Sequence, residues 1–111
     1  MGAKCRIGLG AADPNQTVKL FAVYNTSHNS LYVLAPDLKA AMSIAHSANH
    51  IHGVFDRKDR TYPHGQEVRA PFGEQMAASW GLVELAIERR LQGTVHFDGA
   101  EVWVGKEVIK E

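Results

Sequence analysis

The sequence predicts one α+β domain, in which a mainly antiparallel sheet of four to five strands carries two helices packed on one face. Three observations predict this class: short strand-like segments near both ends, two apolar stripes with helical spacing, and an Asp-Gly turn between two apolar runs. The chain of 111 residues is long enough to bury a core as a single domain, 1–111, without disulfides. The expected order is therefore strands, helix, loop, helix and hairpin.

The first half of the chain contains three strand-like segments. Residues 4–9 alternate, with Cys5, Ile7 and Leu9 on one side, which predicts a half-buried strand. Residues 17–24 are apolar on both faces, as in a central strand. Residues 31–34 follow after a polar break and are expected to pair with the central strand as a hairpin.

A first helix is predicted from Pro36 to about His50. Proline is favoured at the first helical position, and Asp37 beside it suits the positive end of the helix. Gly53 is a natural stop. One face of this helix is apolar: Leu38, Ala41, Met42, Ala45 and Ala48.

A second helix is predicted from Pro71 to Gly93, after an irregular charged loop at 56–69. Its apolar positions are spaced by three and four, which indicates a buried stripe. The stripe consists of Phe72, Met76, Trp80, Val83, Ile87 and Leu91. Glu84 and Glu88 are expected on the solvated side.

A terminal hairpin is predicted over residues 95–104, with Asp98 and Gly99 as a two-residue turn. That turn would place His96 opposite Glu101 and Thr94 opposite Trp103. The side chains at 96, 101 and 103 would then share the outer face, while the valines and Phe97 of the hairpin face the core. The positive form of His96 would be favoured by Glu101.

The charge of the chain is balanced, with twelve basic and twelve acidic residues. A protein that binds nucleic acid normally carries a basic excess, so the balance argues against a dedicated nucleic-acid binder. No apolar segment approaches the roughly 20 residues that a membrane span requires. The single cysteine, Cys5, favours a reducing compartment, and we place the protein in the cytoplasm.

The six histidines include a cluster near the end of the first helix. His46 and His50 are one helical turn apart, and His52 follows at once; His64 lies in the loop. Imidazoles at this spacing can share a metal ion, and zinc, nickel or copper(II) would suit them. The alternative is that these residues are solvated polar side chains, which needs no cofactor.

The charged loop and the hairpin are the other candidate surfaces. Arg57, Arg60 and Tyr62 could hold an anion or a partner, or could simply be solvated with local ion pairs. Trp103 is the candidate anchor for a protein contact, because tryptophan is enriched at binding hot spots. If strand 101–104 lies at a sheet edge, it could pair with a partner or with its own copy.

Three functions follow from these residues. The favoured one is a small non-catalytic binding or regulatory protein that acts through protein contacts and forms a homodimer. The first alternative is a transition-metal-binding protein that uses the histidine cluster. The second is a small-molecule enzyme in which His64 acts as a base while Arg57 or Arg60 holds an anionic substrate, but no nucleophile or carboxylate partner can be placed beside it.

Overall fold

The computed structural model describes residues 6–24, 30–52, 64–71 and 73–111, with the side chains of all of these except residues 30, 49–52 and 64. The remaining residues, including Cys5, Arg57, Arg60, Tyr62 and Phe72, lie outside the described part of the chain. Predictions that concern those residues are not addressed by the structure.

The described residues form seven strands and three helices, which confirms the α+β class. The elements in chain order are β1 (Gly8–Ala11), β2 (Lys19–Tyr24), β3 (Ser30–Ala35), α1 (Leu38–His52), β4 (His64–Glu67), α2 (Gly73–Ala78), α3 (Trp80–Glu88), β5 (Leu91–Asp98), β6 (Glu101–Val104) and β7 (Glu107–Val108). The sheet order is β4-β2-β3-β5-β6-β7, and every pair is antiparallel. β1 also pairs with β5. The strand number therefore exceeds the four to five that were predicted.

The helices lie on opposite faces of the sheet, whereas the sequence predicted both on one face. α1 packs on the face of β2 and β3 that contains Phe21 and Val33. α3 packs on the opposite face, which contains Leu20 and Leu34. Pairing in register puts Phe21 beside Val33 and Leu20 beside Leu34. A strand that is apolar on both faces must be covered on both, and the pattern of residues 17–24 already carried that requirement.

The first helix begins and ends later than predicted. Asp37 precedes the helix, and its Oδ1 accepts a hydrogen bond of 2.8 Å from the Ala40 N–H. It therefore acts as the N-terminal cap, and Pro36 lies outside the helix rather than at its first position. The helix continues through His52, two residues beyond the predicted end.

The second predicted helix is two helices, α2 and α3, joined at Ser79. The backbone of Ser79, with φ −107° and ψ 6°, departs from helical values. The predicted stripe still faces inward, because Met76 and Val83 are both buried. The helical segment ends at Glu88 rather than near Gly93, and Arg90, at φ 57°, reverses the chain into β5.

The terminal hairpin is present, but its register differs from the prediction. Asp98 pairs with Glu101, so the turn consists of Gly99 and Ala100. His96 consequently lies opposite Trp103 rather than Glu101. The change moves the partner strand by two residues, an even number, so each side chain keeps its predicted face.

Two further segments differ from their predicted states. Residues 64–67, which belong to the predicted charged loop, form the edge strand β4 against β2. The first strand is Gly8–Ala11 rather than residues 4–9. Leu9, which was expected to face the core, is 57% exposed. A bulge between Gly8 and Gly10 shifts the pairing with β5 and breaks the predicted alternation.

Candidate functional site

A groove of about 560 Å³ lies between α3, the beginning of β2 and the residues that follow β4. Its apolar lining includes Leu20, Trp80 and Ile87. Its charged lining consists of Lys19, Glu67, Arg69, Glu84 and Glu88. A concave surface that combines large apolar groups with charges of both signs is suited to holding another molecule.

Local structure explains why these residues meet. Trp80, Glu84, Ile87 and Glu88 are spaced by three and four along α3, so they share one side of that helix. On the opposite wall, the Val68 N–H donates a 2.7 Å hydrogen bond to the Leu20 carbonyl, which keeps the chain attached to the sheet after β4 ends.

The two rims of the groove differ in charge. On the sheet rim, Glu67 Oε2 accepts a 2.9 Å hydrogen bond from Arg69 Nε, and its Oε1 lies 3.7 Å from Lys19 Nζ. On the helix rim, Glu84 and Glu88 are exposed and form no ion pair with the described residues. Like charges one helical turn apart are mildly unfavourable, so a cationic group from a partner would relieve them.

Trp103 is half-buried on the same sheet face as α1. The Arg6 guanidinium lies over its ring, 4.8 Å from the centroid, in a cation–π contact. Its Nε1 is buried and has no hydrogen-bond acceptor among the described residues. The strand 101–104 is also flanked by β5 and β7, so it is not the sheet edge that the sequence suggested.

The other hairpin residues of the predicted interaction surface are separated by the observed register. Glu101 is exposed and lies opposite Asp98, and His96 is half-buried opposite Trp103. His96 and Glu101 are thus diagonal neighbours rather than a direct pair. The predicted interaction surface at Trp103 stays a prediction.

The predicted metal ligands occupy different parts of the fold. α1 includes positions 46, 50 and 52, so 46 and 50 are one turn apart, whereas position 52 is about 160° around the helix from position 50. Position 64 is at the beginning of β4, where its backbone pairs with Tyr24 of β2. Among the side chains that the structure describes, no three potential ligands form a metal site. The metal site stays a prediction that rests on His46 and His50.

The groove was missed in the sequence because each of its residues has an ordinary explanation. Trp80 and Ile87 fit a core stripe, and Glu84 and Glu88 fit a solvated face. The available signal was the spacing of Trp80, Glu84 and Glu88, which places two carboxylates on the same side as an incompletely covered tryptophan.

No protein-family model matches this chain, and no curated protein or solved structure is significantly similar to it. The helices in the described residues are too short or too polar to cross a bilayer.

Proposed function

We propose that this protein is a small non-catalytic binding module that acts through protein contacts, and that the groove along α3 holds a segment of its partner. The observation that supports this is the combination of Trp80 and Ile87 with two carboxylates on one rim, Glu84 and Glu88, that form no ion pair among the described residues. The single cysteine supports a reducing location, the cytoplasm.

The groove chemistry defines the partner segment. A large apolar side chain of the partner would contact Trp80 and Ile87, where burial is favourable by about 25 cal/mol per Å². An adjacent lysine or arginine would pair with Glu84 and Glu88. Arg69, which is 85% exposed, is available at the opposite rim for a carboxylate or a main-chain carbonyl.

Peptide selection followed by solution binding tests this proposal. Random peptides would be selected on the immobilised protein, and the enriched peptides titrated while backbone amide chemical shifts are recorded. We expect the enriched peptides to combine basic and large apolar residues, and the shifts to cluster on α3 and residues 67–69. The double variant Glu84→Lys, Glu88→Lys should weaken binding by about tenfold or more.

A matched control separates the groove from a general charge effect. The variant Glu74→Lys, Glu111→Lys changes the net charge equally at exposed positions that do not line the groove. It should bind the enriched peptides as the unmodified protein does. Equal weakening in both double variants, or shifts confined to the surface around Trp103, would contradict the proposal.

A further inference from the structure

In the part of the chain that the structure describes, the outer edge of β1 is a second surface without a partner. All four residues of β1 are exposed, and within the described residues β1 pairs with β5 alone. A cleft of about 320 Å³ lies against it and is lined by Gly8, Gly10, Leu91, Val104 and the start of β7. The exposed Leu9 lies between the two glycines.

The backbone of β1 retains hydrogen-bonding capacity on this edge. On the inner side, the Ile7 carbonyl accepts from the Thr94 N–H at 2.8 Å, and the Ala12 N–H donates to the Arg90 carbonyl at 2.7 Å. Alternation along the strand then turns the N–H and carbonyl of Ala11 away from β5. The strand contains no lysine or proline, the residues that commonly block edge pairing.

We propose that a second copy of this chain adds its own β1 antiparallel to this edge and so continues the sheet across a two-fold axis. Two identical strands of this kind can pair through main-chain hydrogen bonds. The two Leu9 side chains would lie close to the axis, next to the glycines and the cleft of the other copy. This inference does not depend on the α3 groove.

Charge complementarity favours a second copy over an unrelated strand. Exposed Asp13 follows the carboxyl end of β1, and exposed Lys106 lies at its amino end, where its backbone nitrogen is 4.0 Å from the position of a Cβ built on Gly8. Antiparallel addition brings the carboxyl end of one β1 to the amino end of the other. Each Asp13 would therefore approach the other copy's Lys106, twice per dimer. Glu107, the next residue, is also exposed and lines the same cleft, while its backbone pairs with Val104.

The size of the edge sets the strength of the association. A stable interface buries about 1,200 Å² or more in total, and two four-residue strands provide less than this. The dimer should accordingly be weak, with a dissociation constant in the micromolar to millimolar range, and it should exchange rapidly.

A charge swap followed by sedimentation equilibrium tests the proposal. The unmodified protein should show a concentration-dependent monomer–dimer equilibrium. Asp13→Lys or Lys106→Asp alone should weaken the dimer by about fivefold, because each creates two like-charge contacts. The double variant Asp13→Lys, Lys106→Asp restores opposite charges and should return the dissociation constant to within about twofold of the original.

Two leucine variants complete the test. Leu9→Lys should weaken the dimer by about tenfold, since a lysine at the centre of an edge opposes its copy. Leu38→Lys, at a 43% exposed leucine on α1, is the matched control and should leave the dimer unchanged. Thermal unfolding of each variant verifies folding. A protein that stays monomeric at high concentration, a swap that fails to restore pairing, or a larger effect of Leu38→Lys would overturn the proposal.

Discussion

Gly105 is the residue whose replacement should disturb the fold most clearly. Its φ is 61°, and a Cβ at this position would be 2.5 Å from the Gly8 Cα. The atoms that this Cβ would meet, the Gly8 Cα and N, belong to the backbone and cannot move aside easily. We expect Gly105→Ala to lower the free energy of unfolding by about 3 kcal/mol, from positive-φ strain together with steric crowding.

Gly99 provides the matched control at the same scale. Its φ is 60°, but a Cβ there would meet nothing within 4 Å. Gly99→Ala should therefore cost only the strain of the left-handed backbone, about 1 kcal/mol. Denaturant unfolding measures both variants. If the two losses are equal, crowding between β1 and the β6–β7 turn contributes nothing to stability.

At the scale of elements, Gly65 controls how closely α1 approaches β4. A Cβ on Gly65 would overlap Leu38 Cδ1 and lie 3.1 Å from Met42 Sδ. We expect Gly65→Ala to cost about 1 kcal/mol or more, because overpacking displaces the helix or the leucine. Since Leu38 is a flexible and partly exposed side chain, Leu38→Ala should relieve most of this cost.

A double-mutant cycle measures this coupling. The combined variant Gly65→Ala, Leu38→Ala should lose less stability than the sum of the two single variants, by about 0.5 kcal/mol or more. Unfolding in urea, with unchanged dependence on urea concentration, gives the values. Strict additivity would mean that α1 does not rest on β4 through this contact.

For the whole molecule, the formal net charge at pH 7 is zero and the protein contains six histidines. Histidine side chains gain protons as the pH falls through roughly 6.5, which makes the protein positively charged. We expect association or precipitation to be greatest near pH 7 and to decrease at pH 5.5. Light scattering across this range measures the effect. Clear monomeric solutions at pH 7 and high concentration would contradict the expectation.

The features that the sequence predicted correctly depend on local patterns. The apolar residues on both faces of 17–24, the stripe through Met76 and Val83, and the turn near Gly99 specified β2, the helical segment and the hairpin. The helix break at Ser79, the hairpin register and the covering of both sheet faces depend on contacts between distant segments. The groove belongs to this second group, because Glu67 and Glu84 line one groove only once α3 has packed against the sheet that contains β4.

The junction of Ile7 with Thr94 has a consequence for synthesis on the ribosome. Thr94 Oγ1 accepts a 2.9 Å hydrogen bond from the Ile7 N–H, and the two residues are 87 positions apart in the chain. At translation rates of about 5–20 residues per second, β1 must wait on the order of ten seconds for its partner strand. During that interval other newly made strands can compete for β1. We therefore expect β1 to mispair more often on crowded polysomes than in the completed protein.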